Sequence, residues 1–83
     1  MEYEYLFSKS VYEELKSIVK GHVFCKVVND TLLVSISTRE GIEFRYTIEN
    51  FSYKLLMGML NPVSVCLQVQ KKYKDFIVHR FMY

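Results

Sequence analysis

A chain of 83 residues that is 51% apolar and 24% charged, with three glycines and one proline, reads as one small domain. Disordered, collagenous and low-complexity classes are excluded by that balance. Eleven Lys and Arg against nine Asp and Glu leave +2, too little for a dedicated nucleic-acid binder and of the wrong sign for a DNA mimic. No apolar run approaches the roughly 18 residues of a transmembrane helix. The opening MEYEYLF has neither a basic start nor a long apolar stretch, so no signal peptide is expected. Two cysteines are too few for a disulfide framework. The expectation is a soluble, cytoplasmic single domain over 1–83.

Residues 1–8 alternate, with Glu2 and Glu4 on one side and Tyr3, Tyr5 and Phe7 on the other, which predicts an N-terminal strand or ordered arm. Ser10 and Glu13 then form a capping box for a helix over 11–20. Val11, Leu15, Ile18 and Val19 share one face of that helix, and Gly21 is its stop.

The next stretch carries the most information. His22–Val28 and Thr31–Thr38 are β-branched and alternating, split by Asn29-Asp30, two residues suited to a type I′ turn. That turn pairs Val28 with Thr31 and puts Val23, Cys25 and Val27 opposite Ile36, Val34 and Leu32. A three-residue loop, Arg39-Glu40-Gly41, with Gly41 left-handed, sets Ile36, Val34 and Leu32 against Phe44, Tyr46 and Ile48. A two-residue loop at Arg39-Glu40 would mix the two faces. The result is a three-stranded antiparallel meander whose core face is fixed by two separate turns.

Asn50 can cap a short helix over 51–60 that packs Phe51, Leu55 and Leu56, with Gly58 weakening it. Asn61-Pro62 supplies a cap and a first helical residue. Residues 63–83 carry two patterns. Val63, Val65, Leu67 and Val69 alternate as in a strand, whereas Val65, Val69, Tyr73, Phe76 and Ile77 form a helical stripe. Lys71–Asp75 has no Gly, Asn or Pro to turn a hairpin. The fold class is therefore α+β: an N-terminal helix, a three-stranded β-meander, and a C-terminal helical segment on the same sheet face, with a C-terminal β-hairpin as the alternative.

Little of the chain suggests chemistry. His22, Cys25, Cys66 and His79 are the whole set of soft metal ligands, and on a strand His22 and Cys25 point to opposite faces. Cys25 among valines is an inert thiol. No phosphate loop, dinucleotide fingerprint or nucleophile elbow is present. No catalytic residue, metal or cofactor is expected.

Binding is the remaining class, with two candidate surfaces. On the sheet face away from the core, Phe24, Ser35 and Arg45 line up across the strands, and Lys26, Leu33 and Thr47 form the next row. Phe24, Lys26, Leu33 and Arg45 are the candidate binding residues there, a flat platform of apolar and cationic groups. The second surface is the basic end, where Lys71, Lys72 and Lys74 surround Tyr73, with His79 and Arg80 beyond; residues 63–83 carry +3. In the helical pattern Arg80 falls within the apolar stripe and needs a partner or a path to water. The reading favours a non-catalytic inhibitor or adaptor that binds another protein. A nucleic-acid-binding module at the basic end is the alternative, a structural homo-oligomer, such as a homodimer, the third, and no membrane is involved.

The order helix, three-stranded meander, helix is similar to that of double-stranded-RNA-binding domains. Those domains present a basic cluster at the start of the second helix, where this chain has Glu49-Asn50-Phe51-Ser52-Tyr53-Lys54, so their function is not carried over. In general character the chain also looks like the small Tyr-, Lys- and Ile-rich accessory proteins of bacteriophages and mobile elements, many of them inhibitors.

Overall fold

A computed structural model describes residues 2–81 of the chain and the side chains of 3–80; Met1, Met82 and Tyr83 lie outside the described residues. The elements run α1 (Glu2–Ile18), β1 (His22–Val28), β2 (Thr31–Ser37), β3 (Glu43–Ile48), α2 (Phe51–Leu56) and α3 (Pro62–Phe81). The three strands form one antiparallel sheet in the order β1-β2-β3. This is the α+β arrangement expected, and the C-terminal segment is a helix and not a hairpin.

Both turn registers hold residue for residue. Val28 faces Thr31, Cys25 faces Val34 and Val23 faces Ile36. Leu32 faces Ile48, Val34 faces Tyr46 and Ile36 faces Phe44. Asn29 and Asp30 have φ of 50° and 59°, as a type I′ turn requires, and Gly41 has φ 83°. The second loop is closed by the Thr38 amide donating to the Ile42 carbonyl (2.9 Å) and the Gly41 amide donating to the Thr38 carbonyl (3.1 Å).

The helices pack on one side of this sheet. Phe7, Val11, Leu15, Leu32, Val34, Ile36, Phe44, Ile48, Phe51, Val65, Cys66 and Val69 are buried together. Residues 7, 11 and 15 recur at four-residue spacing on α1, and 65 and 69 do so on α3, so each helix delivers one apolar stripe. Burying these side chains stabilises the fold by about 1.5–3 kcal/mol each before the entropy of ordering is set against it. α1 rests on β1 and α3, and α3 on β3. The Tyr73 and Phe76 rings stand against Phe44, with centroids 5.5 and 5.4 Å away.

Four local expectations are corrected. Residues 2–8 are neither strand nor arm; they are the first two turns of α1, because Phe7 lies four residues before Val11 and packs edge-on against Phe51 at 5.3 Å. Ser10 is consequently an exposed residue within the helix and not its cap. Asn50 adopts the left-handed conformation and makes no side-chain cap. Asp30, from the first turn, substitutes for it: its carbonyl accepts from the Phe51 amide (2.9 Å), and its Oδ1 accepts from the Ser52 amide (2.9 Å) and the Ser52 hydroxyl. Finally α2 stops at Leu56, not at residue 60. The Met59 amide donates to the Lys54 carbonyl and the Gly58 amide to the Leu55 carbonyl, the two bonds of a Schellman stop. That stop turns Leu56 outward, 84% exposed, where packing was expected.

The Asn61 cap does form, its Oδ1 accepting from the amides of Val63 (2.9 Å) and Ser64 (3.4 Å), with Pro62 at the first helical position. Gly21 joins α1 to β1 under a tighter constraint. A Cβ there would lie 2.5 Å from the Ser37 carbonyl oxygen, and its φ is 128°. Only glycine lets the chain enter β1 this close to the end of β2.

Candidate functional site

Because every helix sits on the core side, the opposite face of the meander is bare of other described elements. Its residues follow directly from the registers. Phe24, Ser35 and Arg45 form one row across the three strands, and Lys26, Leu33 and Thr47 the next. His22, Ser37 and Glu43 lie beyond the first row, and Val28 and Thr31 beyond the second.

Phe24 is 50% exposed and Val28 40%, large apolar side chains left open to water on an edge strand. The Lys26 ammonium stands 5.6 Å from the centroid of the Phe24 ring, within cation–π range. Leu33, in the middle of the second row, is half-buried, and Ser35, in the middle of the first, is buried, so the centre of the face is a shallow floor between Phe24 and Arg45. Arg45 donates through Nε to the Glu43 carboxylate beside it on β3. Both side chains are well exposed, so this pair contributes at most about 1 kcal/mol and leaves Arg45 easily exchanged to another acceptor. All four sequence-derived residues, Phe24, Lys26, Leu33 and Arg45, are thus brought onto one face.

The basic end is arranged differently. Lys71, Lys72 and Lys74 are exposed along α3, but Tyr73 between them points inward with its ring on Phe44. Burial pushes the Tyr73 hydroxyl pKa up, and the nearby Glu40 carboxylate adds to that rise. The expected cation–aromatic cluster therefore has its cations on the surface and its half-buried aromatic ring turned against the core. Arg80 falls in phase with the stripe yet lies past the buried stretch of α3, and it is exposed to water.

The Cys66 thiol is buried in the core, and the half-buried Cys25 packs against it. Burial pushes the Cys25 thiol pKa up to about 12, with the Cys66 sulfur adding to the shift. Burial also raises the Cys66 thiol, with Glu14 contributing, and its Sγ donates weakly to the Val11 carbonyl at 3.6 Å. A thiol held protonated is a poor nucleophile and a poor metal ligand. Among the described residues no three His, Cys, Asp or Glu side chains are grouped as a metal site. None of the described helices is long and apolar enough to cross a membrane. Recesses among the described residues include two of note. One of about 440 Å³ is lined by Tyr46, Leu60, Ser64 and Gln68 among others, with the Tyr46 hydroxyl donating to Gln68 Oε1 at 2.9 Å. The other, of about 640 Å³, is lined by Lys20, Gly21, Thr38, Arg39, Glu40 and Ile77. Among the described residues that line them, no hydroxyl is hydrogen-bonded to a basic side chain or carboxylate.

Sequence reasoning missed two features of this surface. Asp30 acts as the cap of α2, which is legible only once the first turn is known to lie beside Phe51. Leu56, Met57 and Met59 form an exposed apolar tip after α2, which depends on where the helix stops. Comparison of the chain with protein-family models, curated proteins and solved structures finds no match.

Proposed function

We propose that the chain is a non-catalytic binding protein, an inhibitor or adaptor, that docks another protein on the bare face of its meander. The observation that carries this reading is the half-exposed Phe24 with the Lys26 ammonium over its ring, set beside Leu33 and across from Arg45. An exposed aromatic ring with one cation over it and a second across the sheet is the composition of an interface centre and its orienting rim. A monomer gains no stability from leaving such a ring in water.

The test is the double variant Phe24→Ser with Arg45→Glu. The partner is first captured from the source cell and identified by mass spectrometry, and its affinity for both forms is then measured. The variant is expected to keep its circular-dichroism spectrum and to bind at least tenfold more weakly, about 1.4 kcal/mol. A variant that unfolds, or one that folds and binds as before, overturns the reading. Binding that falls steeply with salt and is lost when Lys71, Lys72 and Lys74 are neutralised transfers the function to the basic end and to nucleic acid.

A further inference from the structure

The two edges of the sheet are unlike. A two-residue turn is closed by a hydrogen-bonded pair, here Val28 and Thr31, and such pairs alternate along antiparallel strands. His22, Phe24, Lys26 and Val28 therefore direct their backbone N–H and C=O groups to β2, and Val23, Cys25 and Val27 direct theirs out of the sheet. The same alternation predicts that Thr38 bonds toward β3, and its amide does donate to the Ile42 carbonyl. Among the described residues, no strand, turn or side chain hydrogen-bonds the outer edge of β1.

On the β3 edge the outward positions are Glu43, Arg45 and Thr47, charged or hydroxylated residues of the sort that blunt an edge. On the β1 edge they are two valines and a cysteine. These three stay only half-buried although they face the core, while their partners Ile36, Val34 and Leu32 are fully buried. The core is thus unfinished along one side, and Phe24 and Val28 add exposed apolar surface to the other side of the same edge, beside Lys26 and His22. No proline or bulge interrupts the seven residues.

From this edge we infer that β1 pairs with β1 of a second copy of the chain, antiparallel about a two-fold axis at Cys25, joining two meanders into one continuous six-stranded sheet. The strand is self-complementary in that register. Cys25 meets Cys25, each Val23 meets Val27 of the other copy, each Phe24 meets Lys26, and each His22 meets Val28. Every outward-directed residue meets another, which gives about six hydrogen bonds between the copies. The Lys26 ammonium, already over Phe24 of its own chain, gains a second ring, and no like charges are opposed. Centring the axis on Lys26 would oppose two ammonium groups. Centring it on Phe24 would set His22 against Lys26.

The experiment is sedimentation equilibrium over the widest soluble concentration range. The wild type is expected to reach twice the 9.9 kDa chain mass. Phe24→Lys opposes two cations at each end of the pairing and is expected to raise the dimer Kd at least tenfold; adding Lys26→Glu is expected to recover it. Val27→Pro removes one outward amide at an edge position and is expected to give a monomer. If Val27→Pro fails to fold, the charge pair decides. A wild type that stays monomeric overturns the inference, and so does a dimer indifferent to Phe24→Lys. Arg45→Glu alone separates this inference from the docking reading, since it lies two strands from the axis: it is expected to leave the dimer mass unchanged while weakening partner capture.

Discussion

Asn29-Asp30 and Arg39-Glu40-Gly41 both reverse the chain with residues at positive φ, and both set their strands in the register their length demands. Beyond that they differ. The first turn is tied into the molecule: its carbonyl and carboxylate hold the start of α2, and the Phe51 ring they position packs against Phe7 of α1. The second turn closes on itself through Thr38, and a Cβ added at Gly41 would meet nothing within 4 Å. The first turn is therefore hydrogen-bonded into a joint between elements, whereas the hydrogen bonds of the second stay within its own hairpin. Local chemistry sets the shape of a turn, and tertiary contact sets how much rests on it.

The largest test of that contrast is at the joint. Phe51 is fully buried, and Phe51→Ala is expected to destabilise by about 3–5 kcal/mol in urea unfolding, the range for a truncated core phenylalanine. A loss below about 1 kcal/mol would mean that α2 is not anchored there. The second turn responds through backbone strain alone. Gly41→Val is expected to cost about 1–2 kcal/mol, with unchanged spectra, because a β-branched residue must be forced into the left-handed region. A change near zero would break the three-residue register. The smallest effect sharpens the comparison. The Ser52 hydroxyl and amide hold the exposed Asp30 carboxyl below its usual range. A carboxyl lowered on folding contributes stability in full above its unfolded value, about 3.9, and loses it as the pH falls through the folded value. Asp30→Asn keeps the turn conformation, so it is expected to be less stable than wild type at neutral pH, by less than either change above. Urea midpoints at pH 7 and at about pH 2.5 should show that gap closing in acid.

What was legible follows the same division. The meander could be read residue by residue, because two turns with narrow conformational demands each fix a period-two pattern, and a slip of one position exposes every core side chain. The faces followed, and with them Phe24, Lys26, Leu33 and Arg45. α3 was half legible: its stripe and its Asn61 cap were in the sequence, but the first eight residues after Pro62 alternate as well as any strand. The start of α1 was misread because Glu2–Phe7 alternates and Ser10-Glu13 mimics a cap, while the true anchor, Phe51, lies far along the chain. Asn50 failed as a cap for a similar reason. A side chain from a distant turn reached the same amides first, and no window of neighbouring residues contains that competitor. The inward turn of Tyr73 likewise depends on Phe44 lying across the helix.

Gly21 carries a consequence for descent. Surface positions of this chain can drift through most of the amino-acid alphabet, and the core tolerates swaps of similar volume. A side chain at position 21, by contrast, would drive its first carbon into the Ser37 carbonyl oxygen. A lineage sharing this fold would therefore diverge around a few points set by the backbone: a glycine directly before the first strand, a left-handed pair directly after it, and a second glycine closing the next loop. Such relatives would be recognised by the spacing of Gly21, Asn29-Asp30 and Gly41 long after overall identity had been lost.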